Sequence, residues 1–378
     1  MDDRTREFID AGLLDGIDGY ERDERLALLE DLAAEGVSTE EMKEALAEDR
    51  LALLPVERVL AGEPRYTPRE VAERAGVPLE FLLEMRQASG LARPDPDEAS
   101  FDDQDLETAR AFARLRDAGL PEDSLLEVSR ALGSGLAQTA EAMRTVFARM
   151  LLEEGASERE LASRNADAAR ELLPLMTPLM DHTMRLHMRD QVRNQQIGQG
   201  LLVEGAASGV RLVWVGFADM VGFTRLGERV DVVELGGLVT RLGDLALEAV
   251  VPPVRLVKTV ADAAMFVSPA AEPLVEAVLS LVDRAEGERD FPELRGGLAG
   301  GVALSRGGDW YGPPVNLANR VTGVARPGTV LGSREVRDAA ADGYQWSYAG
   351  EWSLRGFKRQ VPLYRGRRRT GGSGDRAG

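Results

Sequence analysis

The feature that most constrains the fold is a change of pattern near residue 210. Before about residue 170, apolar residues recur at helical spacing, as in LLDGIDGYERDERLALLEDLAAEG, with no run of alternating β-branched residues. Ser38-Thr39-Glu40-Glu41 has the form of a helix start, and Gly62-Glu63-Pro64, Pro94-Asp95-Pro96 and Gly119-Leu120-Pro121 read as breaks. From 210 onward, strand-length apolar runs alternate with helical segments. RLVWVGFA is a strand and 229–251 a helix; VRLVKTV and AAMFVS are strands that meet at Ala261-Asp262. A helix over 272–286, the strand GLAGGVALS, a helix over 315–325 and short strands through QVPLY follow. The order β-α-β-β-α-β predicts an α+β protein, with an all-α N-terminal domain over 1–170 and a ferredoxin-like α/β sandwich over 206–367. Residues 171–205 read as a connecting helix whose Met176, Met180, Met184 and Met188 are spaced by four, a stripe suited to a partner helix, including that of a second copy. Residues 368–378 end the basic, Gly-rich stretch RGRRRTGGSGDRAG, which reads as disordered.

Charge and composition narrow the function. The net charge is -18, and the first 100 residues hold 26 Asp and Glu against 12 Lys and Arg. Such a field repels nucleic acid. With no cysteine, disulfides, thiolate catalysis and cysteine-ligated metals are excluded. The start, MDDRTREFIDAGLL, lacks the pattern of a signal peptide, and no apolar run is long enough to span a membrane, so a cytoplasmic protein is expected. Within 65–93, YTPREVAERAGVPLEFLLEMRQASGLAR fits two short helices about a Gly-Val-Pro turn. The stretch resembles the first motif of MerR-type DNA-binding domains, which would imply a DNA-binding transcription regulator with a nucleotide-sensing domain. The other reading, which the acidic surroundings favour, is a plain helical hairpin in a regulatory domain. Whether that domain takes a small molecule or a lipid is left open by its composition.

The chemistry concentrates in three segments. In Phe217-Ala218-Asp219-Met220-Val221-Gly222-Phe223-Thr224 a strand delivers a carboxylate, and Gly222 lets the backbone turn closely, as a phosphate-binding loop at Phe223 and Thr224 requires. Asp262 sits at the tip of the 254–268 hairpin, where adjacent strands of the sheet would bring it to Asp219. Two carboxylates without His or Cys favour a hard cation, Mg²⁺ or Mn²⁺. Lys258 lies four residues before Asp262, so strand alternation puts both on one side of the sheet. In GDWYGPPVNLANR, Asn316 and Arg320 share one helical face, an amide and a guanidinium suited to a ribose and a phosphate. Lysine is scarce: Lys43, Lys258 and Lys358 are the only three among 46 Lys and Arg, so Lys258 is a less casual choice than usual.

FADMVGFT, KTVADAAMF and GDWYGPPVNLANR, in this order over about 210–365, resemble class III adenylyl cyclases of the soluble actinobacterial type with a helical N-terminal regulatory domain. The resemblance implies conversion of ATP to 3′,5′-cyclic AMP and pyrophosphate by attack of the ribose 3′-hydroxyl on the α-phosphate. It implies two Mg²⁺ or Mn²⁺ ions per site on Asp219 and Asp262, adenine read by Lys258 and Asp309, ribose held by Asn316, and transition-state charge met by Arg320. Arg355 stands where the family places a triphosphate-binding cation. A homodimer would share its sites, the aspartates from one chain and the other four residues from its partner. The family's usual Gly before the second aspartate is Ala261 here, small enough that little harm is expected. Adenine offers an acceptor and a donor that match Lys258 and Asp309; guanine reverses that edge, which argues against a guanylate cyclase. His182 and His187, the only histidines, lie on the connecting helix and suggest regulation by pH.

Overall fold

A computed structural model describes residues 3–151, 156–198 and 209–369 and divides the chain into two compact units, 1–186 and 187–378. The first unit is all-helical where described. It contains α1 (Asp3–Asp10), α2 (Gly19–Ala34), α3 (Thr39–Ala47), a 3₁₀ turn at Leu51–Leu53, α4 (Leu54–Ala61), α5 (Pro68–Ala75), α6 (Leu79–Ala88), α7 (Asp103–Asp117), α8 (Glu122–Leu151) and most of α9 (Glu158–Gly198). The Ser38 hydroxyl accepts the Glu41 amide at 3.2 Å, the capping bond that starts α3. Leu13, Leu28, Leu29, Leu32, Met42 and Ala162 form one apolar cluster; Val71, Phe81, Met85, Phe101 and Leu106 form a second.

The second cluster holds the helix-turn-helix pair. A Thr67–Glu70 capping box opens α5, and Gly76, in the left-handed conformation, closes it. The outward residues of α6 are Glu80, Glu84 and Gln87, and Arg93 clasps Glu80 at 2.6 and 2.9 Å. Two carboxylates on the second helix repel a phosphate backbone, so this surface does not suit a groove of DNA.

α9 runs unbroken past residues 170 and 171, where a separate connecting helix was expected to begin. Between Ser157 and Pro174 there is no Gly or Pro to interrupt it. Met180, Met184 and Met188 are exposed. No described helix is long and apolar enough to cross a membrane.

The second unit is a mixed sheet with helices on both faces. After β1 (Val210–Met220) come α10 (Phe223–Leu226), α11 (Val232–Ala249), β2 (Arg255–Val260), β3 (Ala263–Ser268), α12 (Ala271–Gly287) and β4 (Leu294–Arg306). β5 (Asp309–Tyr311), α13 (Pro313–Val324), β6 (Val330–Gly332), α14 (Arg334–Ala339), β7 (Tyr344–Trp352) and β8 (Val361–Arg368) complete it. The sheet order β2-β3-β1-β4-β6-β8-β7 contains the antiparallel ferredoxin-like set β2-β3-β1-β4 that the sequence predicts. In this order β2 lies at the sheet edge and β3 beside β1.

Alternation along β1 divides the core. Ala218 and Met220 face α11 and α12 with Phe266, Leu274, Val278 and Leu298; Val213 and Val215 face α13 with Met265, Ala299 and Ala318. α13 packs onto the sheet because Gly297 has no side chain. A Cβ there would lie 2.3 Å from the Thr322 amide nitrogen.

The expected disordered stretch is corrected in part. Residues 365–368 belong to β8, where Arg368 holds Glu276 at 2.7 Å and pairs also with Asp283. Residues 370–378, like 199–205 of the expected connecting segment and 206–208 of the expected sandwich, lie outside the described residues.

Candidate active site

Asp219, the penultimate residue of β1, shares the α13 face with Val213, Val215 and Phe217. It stands directly opposite Arg295 on β4 and Ala263 on β3. Arg295 grips both carboxylate oxygens: Nε donates to Oδ1 at 2.6 Å and Nη2 to Oδ2 at 3.1 Å. Its Nη1 donates to the carbonyl of Gly323, near the C-terminal end of α13, at 2.9 Å.

Val260 pairs with Ala263, so Ala261 and Asp262 are the two loop residues of the β2–β3 hairpin. The Met220 amide donates to the Asp262 carbonyl at 2.9 Å and ties that tip to the end of β1. Asp219 and Asp262 are thereby brought to one place. Burial raises the Asp219 carboxyl above its ordinary value; Arg295 opposes this, and the charge of Asp262 adds to it. A divalent cation relieves that repulsion, and an all-oxygen donor set fits Mg²⁺ or Mn²⁺. No group of three or more His, Cys, Asp or Glu side chains converges among the described residues, so such an ion would complete its shell with water or phosphate.

Ala261 has φ +49°, in the left-handed region. The departure from glycine is therefore a matter of backbone conformation rather than side-chain size, and costs the chain about 1 kcal/mol. The inference from even spacing also needs correction. Asp262 lies in the turn, outside β2, and the strand is irregular between Leu256 and Lys258. Lys258 reaches the α13 face through its pairing with Met265 instead.

Gly222 adopts φ +77°, and the Val221 amide donates to the Glu293 carbonyl at 2.9 Å, so the chain turns sharply into α10. Phe223 packs its ring on the α11/α12 core and leaves only backbone for a ligand, whereas Thr224 is exposed. Lys258 and Asp309 meet in a direct ion pair, and Asp309 Oδ1 also accepts the Trp310 amide at 2.9 Å. Asp309 stands on β5, a short strand. Asn316 and Arg320 line one cavity of about 460 Å³ with Gly312, Pro313, Arg355, Gly356 and Phe357. The structure thus sorts the predicted residues into three groups: Asp219 with Asp262, Lys258 with Asp309, and Asn316 with Arg320 and Arg355. Among the described residues no hydrogen bond or ion pair joins the first group to the others. His182 and His187 are exposed on α9.

Sequence reasoning missed Arg295. The strand it read began at Gly297, whereas β4 begins at Leu294. The available signal was a lone cation between Leu294 and the glycines, on the opposite strand face from Leu294 and Leu298.

A family model described as the adenylate cyclase regulatory domain matches residues 7–192. The chain is 40% identical to the pH-sensitive adenylate cyclase MT1302 of Mycobacterium tuberculosis, over 99% of this chain and 97% of that protein. It is 32% identical to an adenylate cyclase of Streptomyces coelicolor, over 75% and 74%. The crystal structure of the adenylyl cyclase CyaB from P. aeruginosa is 23% identical, with a TM-score of 0.35, covering 42% of this chain and 94% of that one. With near full-length identity to one such enzyme and a matching regulatory half, the chain belongs to the adenylate cyclase family.

Proposed function

We propose that this chain converts ATP to 3′,5′-cyclic AMP and pyrophosphate at sites shared across a homodimer, under control of its helical N-terminal unit. The observation that carries the reading is the meeting of Asp219 and Asp262 at the end of β1, on the sheet face that α13 also covers. The relatives named as adenylate cyclases support the choice of reaction. Two divalent cations on these carboxylates, when bound, lower the pKa of the attacking 3′-hydroxyl and neutralise the departing pyrophosphate.

The chain's other residues bind and orient. The Lys258 ammonium donates to adenine N1, and the Asp309 carboxylate accepts from N6. Their mutual ion pair holds both heads ready until a base separates them. Asn316 positions the ribose, and Arg320, with Arg355 across the same cavity, faces the phosphates as negative charge builds. The exposed Thr224 and the Phe223 backbone line the turn beside Asp219. Site sharing is favoured because residues that must act on one nucleotide fall into separate groups within a single chain. The exposed Met180, Met184 and Met188 supply an apolar stripe for pairing. Guanine fits less well because its edge reverses the donor and acceptor that Lys258 and Asp309 match. A DNA-binding role is disfavoured by Glu80 and Glu84 on α6. Regulation by pH is placed at His182 and His187, exposed on the helix that follows the regulatory unit's core. Asp181 and Arg185, ion-paired at 2.8 Å, flank His182.

The test is turnover by the purified full chain with Mg²⁺ or Mn²⁺ between pH 5 and 8. Cyclic AMP should form from ATP, and GTP should react at least ~10²-fold more slowly, since its base mismatches the donor and acceptor of Lys258 and Asp309. Chelation should abolish the activity. His182→Asn with His187→Asn should flatten the pH profile. No cyclic AMP under any condition overturns the reading, and an unaltered profile removes the histidines from it.

A further inference from the structure

We propose that Arg295 is a built-in counter-ion that competes with the divalent cation for Asp219, and so sets how tightly the nucleotide-free protein binds metal. The inference deepens the reading above and rests on it. Both oxygens of Asp219 are taken by one guanidinium, at 2.6 and 3.1 Å, in the fork geometry in which arginine binds carboxylates most strongly. The pair is half-sheltered, with side-chain exposures of 26% for Arg295 and 20% for Asp219, so solvent screens it less than a surface pair.

The position of Arg295 is not accidental to its rotamer. β4 places it directly opposite Asp219, and its third nitrogen, Nη1, donates to the Gly323 carbonyl at 2.9 Å. Backbone register and this third bond together hold the guanidinium over the carboxylate. The arrangement answers a problem the site creates for itself. Asp219 and Asp262 meet at the end of β1, so two negative side chains share one place. Without a cation, one positive side chain offsets their repulsion and keeps the two carboxylates together. A divalent cation that binds Asp219 either displaces Arg295 from the two lone pairs it occupies or takes a remaining one beside a positive charge. Removing the guanidinium removes both the competition and the repulsion. The affinity for metal should then rise, although the protein loses contacts.

That sign separates the proposal from a purely structural role. Mn²⁺ binding is measured by electron paramagnetic resonance and calorimetry on the full-length, nucleotide-free protein at pH 8, with no turnover required. Arg295→Gln should bind Mn²⁺ about tenfold more tightly than the wild type, and Arg295→Lys, with a single-point cation, should fall between them. Thermal unfolding of both variants reports the structural contribution; Arg295→Gln should melt lower because the Gly323 bond is lost. Unchanged or weaker Mn²⁺ binding in a folded Arg295→Gln protein, or in Arg295→Lys should the first not fold, overturns the proposal. Asp262→Asn separates the two levels of inference. If the wild type binds no Mn²⁺, or Asp262→Asn binds as tightly as the wild type, the paired-carboxylate site itself fails and the competition at Arg295 falls with it.

Discussion

The two faces of the C-terminal sheet are built from the same strands and do opposite work. On one, α11 and α12 seal Ala218, Met220, Phe266, Leu274, Val278 and Leu298 from solvent, with relative exposures of 0–1%. On the other, α13 covers Val213, Val215, Met265 and Val267, while Phe217, Val257, Val315 and Leu317 remain partly open, and Asp219, Arg295 and Lys258 emerge. Because side chains alternate, one strand can give every second residue to the core and the others to chemistry. Charged groups cost too much to bury on the sealed face, so they gather where the cover is incomplete and a ligand or second chain can finish it.

The largest effect should come from the open face alone. Asp262→Asn and Arg320→Ala should each lower cyclase turnover by on the order of 10²–10³. Mixed in equal amounts, the two inactive proteins should regain about a quarter of wild-type activity, because half the dimers become mixed and each carries one intact site. Failure to recover, with mixed dimers demonstrated, would break the assignment of the two residues to different chains.

An intermediate effect should distinguish neighbouring glycines that point to opposite faces. A Cβ at Gly297 meets the backbone of α13 at Thr322 and Ala318, whereas one at Gly296 meets the side chains of Val278 and Val330. Gly297→Ala should cost about 2–3 kcal/mol and reduce kcat, since backbone cannot step aside and α13 carries Asn316 and Arg320. Gly296→Ala should lose about 1 kcal/mol and keep kcat. Equal kinetic losses would show that the faces are not independent. The smallest effect is a gain. Ala261→Gly relieves a left-handed alanine at the hairpin tip and should stabilise the protein by at most about 1 kcal/mol in chemical denaturation.

Much of this was legible beforehand because it depends on local pattern. Strand-length runs and the βαββαβ order predict the core of the sheet, and Asp219 and Asp262 can be paired from topology. Arg295 was not legible, since its significance lies in cross-strand register with a residue 76 positions earlier. The Lys258 and Asp309 ion pair was foreseen as a functional pair but not as a direct contact. The strand character of residues 365–368 escaped because a basic, Gly-rich stretch resembles a solvated tail until carboxylates on α12 are seen to receive Arg368.

Taken by itself, the sequence determined the all-helical first half, the alternating second half, and which carboxylates, cations and amide stand at the spacings of a cyclase. The first two follow from periodicity, a property of short stretches, and the third from the resemblance of three motifs to a known family. Only the tertiary structure decided that Arg295 takes both oxygens of Asp219, that Ala261 must turn left-handed, and that α13 rests on a missing side chain at Gly297. Each of these depends on the exact approach of segments distant along the chain, and such distances are set by packing of the whole sheet rather than by any local run of residues.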